Sequence, residues 1–176
     1  MKNGIAAGKE VAMEPTESIC RIFNDKWALV TAGTAESFNT MTVSWGSFGC
    51  IWTSDEGRDG AKSIISIYVK PARFTHSFLM QNELFTVSFF DKKYRSDLSV
   101  LGTLSGRDTD KLAKTKLTPV PFGNGIGFEE AEKTFLCKKV YWQDFDKEHM
   151  PPDVIEKYYT SELPHTMFIG EIIEEK

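Results

Sequence analysis

The sequence predicts a mainly β fold, a barrel of strands with short helices between them. Several apolar runs of strand length are rich in β-branched and aromatic residues, and Gly, Pro and Asp separate them. The 176 residues include 13 Phe and 4 Trp, and 41% of the chain is hydrophobic against 26% charged. This composition is typical of a globular protein, and a chain of this length can bury a substantial core.

We expect an N-terminal arm over residues 1–21 and a single domain over 22–176. The arm is rich in Gly, Ala, Lys and Glu, and Pro15 would interrupt a helix there. Beyond it, no internal repeat, low-complexity segment or linker divides the chain. Length and uniform composition therefore favour one domain.

The first half of the domain predicts four strands, over residues 27–33, 40–46, 47–52 and 63–69. The second and third are expected to join tightly at Gly46. Residues 63–69, S-I-I-S-I-Y-V, are β-branched and mostly apolar, which indicates a buried strand. Between the last two strands, residues 53–62 are rich in Gly and Asp and predict a polar loop.

A short helix follows the fourth strand, with Thr75 as its expected N-cap and its end near Asn82. Further strands are predicted over 84–90, 126–130, 134–143 and 166–173. Helical patterns are expected over 93–101, within 108–114 and near 154–158. The segment around Pro119, Pro121 and the glycines up to 127 predicts a connection. Strands with short helices between them are typical of a decorated barrel.

Charge and cysteine content restrict the function. The formal net charge of −4 argues against a general nucleic-acid surface, so an anionic ligand would need a local cluster of cations. Three widely spaced cysteines, Cys20, Cys50 and Cys137, predict reduced thiols in a cytoplasmic protein. The first 18 residues lack the apolar core of a signal peptide, and no run is long enough to span a membrane.

No metal site is expected. The three histidines, His76, His149 and His165, are scattered, and no pair has the spacing of metal ligands. His165 follows Pro164 at the start of the last strand and could line a cleft, although packing in the core or exposure to solvent is the simpler interpretation.

The stretch from Asn39 to Gly49, N-T-M-T-V-S-W-G-S-F-G, alternates as a strand does. The pattern predicts Met41, Val43 and Trp45 on an apolar face towards the core. Thr42 and Ser44 would lie on the opposite face, where two hydroxyls and the backbone could meet a flat polar ligand. The alternative is a half-buried barrel strand whose hydroxyls face solvent.

The best chemical signal is Arg73-x-Thr75 at the start of the predicted helix. A helix N-terminus offers unpaired N–H groups and a positive dipole end, and Arg73 can add charge-assisted hydrogen bonds to a phosphate. Lys70 lies nearby in sequence, and Arg107 and Lys111 are candidates to converge on the same point. The alternative is an ordinary helix cap with a solvated arginine.

Six blocks in order carry a resemblance to a known family. They are W-A-L-V-T-A-G, N-T-M-T-V-S-W-G, I-Y-V-K-P-A-R-F-T, L-F-T-V-S-F-F, S-G-R-D-T-D-K and H-T-M-F-I-G-E-I. In these blocks, over roughly residues 22–174, the chain resembles the flavin reductase-like, FMN-binding split-barrel family. The resemblance implies a six-stranded antiparallel Greek-key split barrel, a homodimer, and FMN bound near the subunit interface.

The resemblance also implies roles for particular residues. The strand along the flavin ring and ribityl chain would comprise Met41, Thr42, Val43, Ser44, Trp45 and Gly46. The phosphate would be held by Arg73 and Thr75, joined by Ser105 and Lys111. His165 would lie on the nicotinamide side.

Two functional hypotheses follow from the resemblance. The leading one is an NAD(P)H-dependent flavin reductase, in which hydride passes from nicotinamide C4 to flavin N5 and no side chain acts as a nucleophile. The alternative is an FMN-containing electron carrier, or simple FMN-binding protein, without a nicotinamide site but with a possible redox partner protein. The polar 53–62 loop, and Glu36-Ser37-Phe38 where relatives often carry Asp-Gly, keep this alternative open. A third hypothesis is an apo barrel that serves only as a dimeric interaction module.

Overall fold

A computed structural model describes residues 19–53 and 61–176. Residues 1–18 of the expected arm and residues 54–60 of the expected polar loop lie outside the described residues. The described strands are β1 (Ala28–Gly33), β2 (Phe38–Val43), β3 (Gly46–Thr53), β4 (Ala61–Val69), β5 (Leu84–Phe90), β6 (Pro119–Phe122), β7 (Gly125–Phe128), β8 (Ala131–Asp144) and β9 (Thr166–Glu175). The helices are α1 (Ile22–Lys26), α2 (Phe74–Gln81), α3 (Arg95–Thr103) and α4 (Pro152–Tyr158), and short 3-10 turns span Lys92–Tyr94, Leu112–Lys114 and Lys147–His149.

One antiparallel sheet dominates the fold. Its strand order is β2-β1-β5-β8-β9-β4-β3, and β6 and β7 form a separate hairpin. The two outermost strands, β2 and β3, are consecutive in the chain, with only Ser44 and Trp45 between them. Since three peptide units reach at most about 11 Å, the sheet must curl until its two edges approach each other at these residues. The predicted mainly β barrel is therefore confirmed.

This closure corrects the expected join at Gly46. Residues 40–46 and 47–52 were expected to form neighbouring strands, but β2 ends at Val43 and pairs only with β1. β3 instead pairs with β4, from Gly46 opposite Ile67 onwards. The main sheet has seven described strands, whereas the resemblance implied six, and the chain crosses the seam of the barrel between β2 and β3.

The segment expected to be a connection contains the β6–β7 hairpin. Val120 pairs with Gly127, and Gly123 makes the turn with φ +52°. β6 was not predicted because it contains Pro119 and Pro121. Proline is tolerated in a strand only at a sheet edge, where its missing N–H is not needed for pairing. The short α1 was not predicted either, since five residues carry too little periodicity.

Two groups of buried side chains stabilise the barrel. The larger lies inside the sheet and includes Val30, Ile65, Val87 and Phe168. The smaller packs α3 and β7 against the outside of the sheet, and comprises Leu29, Phe90, Leu98, Leu101, Leu117 and Phe128. The C-terminal end of α3 lies beside β2, where a Cβ at Gly102 would lie 3.2 Å from Cβ of Thr42. Among the described helices, none is long and apolar enough to cross a membrane.

Candidate functional site

Two adjoining cavities open near the C-terminal end of β2. The first, which we call the aromatic cavity, has a volume of about 490 Å³ and is lined by residues 41–45, Tyr68 and His165, among others. The second, which we call the cationic cavity, has a volume of about 280 Å³ and lies between α2, the end of α3 and residues 104–111. Met41, Ala72 and Arg73 line both, so the two cavities share a wall.

Trp45 and His165 form one wall of the aromatic cavity. Their ring centroids lie 4.7 Å apart with an interplanar angle of 33°, and Tyr158 meets the indole edge-on at 5.8 Å. Trp45 is 42% exposed. The expectation that Trp45 faces the core with Met41 and Val43 was therefore wrong. The strand ends at Val43, and so the alternation no longer applies two residues later.

His165 stays neutral in this wall. Its Nδ1 lies 2.9 Å from the hydroxyl of Tyr159, which is itself buried. Burial, and secondarily the positive charge of Lys70, lowers the pKa of His165 to about 4. An uncharged imidazole can face a planar ligand without adding charge to the cavity.

A lysine and a carboxylate meet at the rim of the aromatic cavity. Lys70, which follows β4, forms an ion pair with Glu162 from the segment after α4. The hydrogen bond and the charge of Lys70 lower the pKa of Glu162, and Arg73 and His165 contribute less. Glu162 thus neutralises one of the two cations of this cavity, and Arg73 remains.

The cationic cavity gathers three positive side chains. Arg73 donates from Nη1 to the carbonyl oxygen of Gly102 at 3.2 Å. Arg107 donates to the carbonyl oxygen of Ala72 at 3.0 Å and stacks on Phe74. Lys111 completes the set. Within residues 19–53 and 61–176, none of the three forms an ion pair with a carboxylate, although Asp108 also lines the cavity.

Lys111 is the most unusual of the three. It is only 5% exposed, and its Nζ donates to the carbonyl oxygens of Leu101 at 3.1 Å and Leu104 at 3.4 Å. Burial, and to a lesser degree the charge of Arg73, lowers its pKa to about 8. A buried ammonium normally has an anionic partner. Among the described residues, the hydrogen-bond partners of this ammonium are two carbonyl oxygens, so an external anion could serve as its ionic partner.

The N-terminus of α2 forms another part of this cavity. The helix begins at Phe74 with Arg73 as its N-cap, so the expectation that Thr75 caps the helix was wrong. Thr75 lies inside the first turn, 1% exposed, and its Oγ1 accepts a hydrogen bond of 2.6 Å from Nδ2 of Asn39. The hydroxyl is therefore bonded to β2. In the first turn, the N–H of His76 donates to the carbonyl oxygen of Arg73 at 3.0 Å, and no described residue accepts from the N–H groups of Phe74 and Thr75, which stay available.

The remaining predicted residues divide between the cavities and the core. Ser105 lines the cationic cavity, where its Oγ accepts from the N–H of Arg107 at 3.2 Å. Ser44 lines the aromatic cavity. Thr42 lines it too, but its hydroxyl donates to the carbonyl oxygen of Leu98 at 2.5 Å, so it could only accept a hydrogen bond from a ligand. Gly46 lines neither cavity. A Cβ there would lie 2.6 Å from the ring of Phe23.

Sequence reasoning missed several residues of the site. Glu162 and Tyr159 lie in the Pro-containing excursion between β8 and β9, where no local pattern indicates a site. Gly106 was also missed. A Cβ at Gly106 would lie 2.2 Å from Oδ1 of Asn39, so glycine allows the 105–108 turn to pack against β2. Only the S-G-R-D block could have pointed to it.

The arrangement suits a ligand with a planar ring at one end and a phosphate at the other. The aromatic cavity offers an aromatic wall and neutral polar groups. The cationic cavity offers two guanidinium groups, a buried ammonium and a helix N-terminus, which together are typical of phosphate sites. In the described part of the chain, no cluster of three or more His, Cys, Asp or Glu side chains could hold a metal ion.

Several solved structures with a similar fold are described as FMN-binding proteins, flavoredoxins or flavin reductases. The chain is similar to the FMN-binding protein of Thermus thermophilus, with 18% identity, a TM-score of 0.63, and coverage of 100% of this chain and 80% of that one. Flavoredoxin of Desulfovibrio vulgaris has 22% identity and a TM-score of 0.63, with 100% and 76% covered. A flavin reductase with a split-barrel domain from Shewanella frigidimarina, itself described as putative, has 16% identity and a TM-score of 0.61, with 94% and 74% covered.

These likenesses concern the fold. No protein-family model matches the sequence, and no curated protein matches it significantly. The split-barrel fold that the resemblance implied is confirmed.

Proposed function

We propose that the protein is an FMN-binding flavoprotein and that it acts as an NAD(P)H-dependent flavin reductase. The observation that carries the proposal is the buried ammonium of Lys111, which lies beside Arg73 and whose partners in residues 19–53 and 61–176 are two carbonyl oxygens. A phosphate dianion would give this ammonium the partner that the fold omits. The split-barrel fold, shared with proteins described as FMN-binding, supports the same ligand.

The chain's own residues would bind and orient FMN. Arg73, Arg107, Lys111 and the first turn of α2 would hold the phosphate. Residues 41–45 would lie along the ring and ribityl chain, and Met41 and Ala72 would border the passage between the cavities. When bound, FMN supplies the redox chemistry by accepting hydride at N5.

His165 and Trp45 would position the nicotinamide. Both rings line the aromatic cavity, and the low pKa of His165 keeps that wall uncharged. A neutral wall favours hydride transfer, because it does not oppose the positive charge that develops on the nicotinamide ring. No side chain needs to act as a nucleophile or a general acid.

An absorption spectrum tests this proposal. The purified protein, with FMN added if it is colourless, is mixed anaerobically with NADH and then with NADPH. A reductase will lose the flavin absorbance near its visible maximum with at least one nucleotide, and the relative rates identify the donor. A bound flavin that only dithionite reduces would contradict the reductase and leave FMN binding intact.

An electron carrier is the second candidate, and the exposed aromatic rim favours it. Trp45 and Tyr158 are 42% and 41% exposed, and Tyr158 meets the ring of Trp45, which lines the aromatic cavity, edge-on. Such a rim could meet a redox partner protein and bring its electron donor close to the flavin. Reduction by a partner protein, without oxidation of either nucleotide, would distinguish the carrier.

We also propose that the protein is a homodimer. Tyr141 and Trp142 of β8 are 39% and 47% exposed, and an apolar groove of about 900 Å³ is lined by Phe48, Ile64 and Phe135, among others. Exposed apolar surface of this kind is typical of protein interfaces. Light scattering coupled to size-exclusion chromatography tests the dimer, and a monomer at micromolar concentration would contradict it.

A further inference from the structure

The segment between β4 and α2 lines both cavities. Lys70 and Ala72 line the aromatic cavity, and Ala72 and Arg73 line the cationic one. The segment has little regular structure of its own, since β4 ends at Val69 and α2 begins at Phe74. The contacts at its two ends therefore help to position it, together with the hydrogen bond that the carbonyl oxygen of Ala72 accepts from Arg107 and the ion pair of Lys70 with Glu162.

A single residue, Thr166, contacts both ends. At the first end, Val69 pairs with Thr166 across the β4–β9 ladder. At the second end, the hydroxyl of Thr166 lies 2.8 Å from Nε2 of His76, in the first turn of α2. Thr166 is fully buried and directly follows His165 of the aromatic wall. It thus joins the segment at both ends to the strand that carries His165.

The direction of the hydrogen bonds is determined by Asp144. The Thr166 hydroxyl donates its only proton to Oδ1 of Asp144 at 2.5 Å. Its oxygen must therefore accept from Nε2–H of His76. The ring of His76 also packs edge-on against Phe168, with centroids 5.5 Å apart. The hydroxyl completes a chain of three side chains from β8 through β9 to α2.

We propose that Thr166 is a positioning residue for the cofactor site. It holds the 70–75 segment so that Arg73 and the first turn of α2 face the phosphate while Lys70 and Ala72 border the ring. The inference rests on the proposed binding of FMN. It adds a residue outside both cavities whose loss would weaken phosphate recognition more than ring binding.

The test compares FMN with riboflavin, which lacks the phosphate. Both affinities are measured by fluorescence titration for the wild type, Thr166→Val and Thr166→Ser. Valine keeps the shape of the side chain and removes the hydroxyl, whereas serine keeps the hydroxyl. We expect Thr166→Val to lower the ratio of FMN affinity to riboflavin affinity about five- to tenfold, as loss of one or two hydrogen bonds would. Thr166→Ser should keep the wild-type ratio of FMN affinity to riboflavin affinity.

The matched control is Thr134→Val. Thr134 is 2% exposed, lies on β8 and bonds the hydroxyl of Ser88 at 3.0 Å, away from both cavities. We expect it to leave the affinity ratio unchanged even if it lowers the melting temperature. An unchanged ratio in Thr166→Val, an equal loss in Thr134→Val, or no rescue by serine would overturn the inference.

Failure of a variant to fold, and failure of the wild type to bind flavin, can each be distinguished from failure of the positioning role. If Thr166→Val does not fold, His76→Leu, which removes the donor to Thr166 and keeps an apolar side chain against Phe168, is measured in its place with the same expected loss. If the wild type binds neither FMN nor riboflavin, the proposed function itself fails, and the positioning role fails with it. Binding by the wild type with an unchanged ratio in the variants would overturn the positioning role alone.

Discussion

The indole of Trp45 lies against the imidazole of His165, with ring centroids 4.7 Å apart and planes 33° from parallel. The two residues come from opposite parts of the chain, one from the seam between β2 and β3 and the other from the start of β9. Their contact closes the aromatic cavity on one side. It also contributes to the burial that holds the pKa of His165 at about 4.

Trp45→Ala should raise the pKa of His165 towards the ordinary value of about 6.5, because the imidazole becomes more hydrated. Imidazole chemical shifts measured by NMR between pH 4 and 8 will show the change, with His165→Gln identifying the signal. In the wild type the signal should not titrate between pH 5.5 and 8. Trp142→Ala, which removes a similarly exposed tryptophan from β8, is the control and should leave the pKa unchanged.

The same depressed pKa predicts how stability depends on pH. His165 binds a proton more readily in the unfolded chain than in the folded one, so the unfolded state carries more protons between pH 4 and about 6.5. The free energy of unfolding should therefore fall as pH is lowered through this range. Urea denaturation of the wild type and His165→Gln at several pH values checks this. An equal slope of the free energy of unfolding against pH in the two proteins would contradict this prediction.

Arg73→Ala should weaken FMN binding about 10- to 100-fold, as expected for the loss of a charge-assisted hydrogen bond to phosphate. Riboflavin affinity should change much less. Fluorescence titration measures both ligands. Arg21→Ala, at an exposed arginine paired with Asp25 far from both cavities, is the control. Unchanged FMN affinity in Arg73→Ala would show that the phosphate lies elsewhere.

FMN affinity should fall as pH rises through about 8, because Lys111 then loses its proton in the free protein. The phosphate is already a dianion above about pH 7, and arginine stays charged, so neither explains a change there. Lys111→Met should bind FMN more weakly and show no such decrease between pH 7.5 and 9. Lys139→Met is the matched control, since Lys139 also donates to a carbonyl oxygen, that of Met80 at 3.0 Å, but lines neither cavity.

Gly106→Ala should destabilise the protein by about 1–3 kcal/mol, as overpacking of a close contact does. The added Cβ would lie 2.2 Å from Oδ1 of Asn39, whose amide bonds Thr75 in α2. Thermal denaturation should show a lower melting temperature. Gly49→Ala is the control, because its Cβ would find its nearest neighbour at 3.8 Å and should be tolerated. Equal melting temperatures for the two variants would refute the close packing of the 105–108 turn.

Much of the sheet could be predicted from local pattern. β4 and β5 are rich in β-branched and aromatic residues, and the predicted ranges differ from the observed ones by two residues or fewer. The alternation over β2 correctly identified Met41 and Val43 as buried. It could not reveal that the strand stops before Trp45, because the closure of the barrel ends the strand and pairing of distant segments determines that closure.

The site was predictable where one segment carries several of its features. Arg73 and the start of α2 lie next to each other in sequence, so their chemistry was visible. The burial of Lys111 could not be predicted, because it depends on the packing of α3 and on the carbonyl groups of Leu101 and Leu104. The place of Glu162 in the site could not be predicted either, since its partner Lys70 lies 92 positions earlier in the chain.

The most direct test of the account is a calorimetric titration of the wild type and an Arg73→Ala/Lys111→Met double variant with FMN and riboflavin. The account predicts that the wild type binds one FMN per chain at least tenfold more tightly than riboflavin, about 1.4 kcal/mol or more from the phosphate. It also predicts that the double variant binds the two ligands with similar, weaker affinity. Equal affinity of the wild type for FMN and riboflavin, or binding of neither, would contradict it.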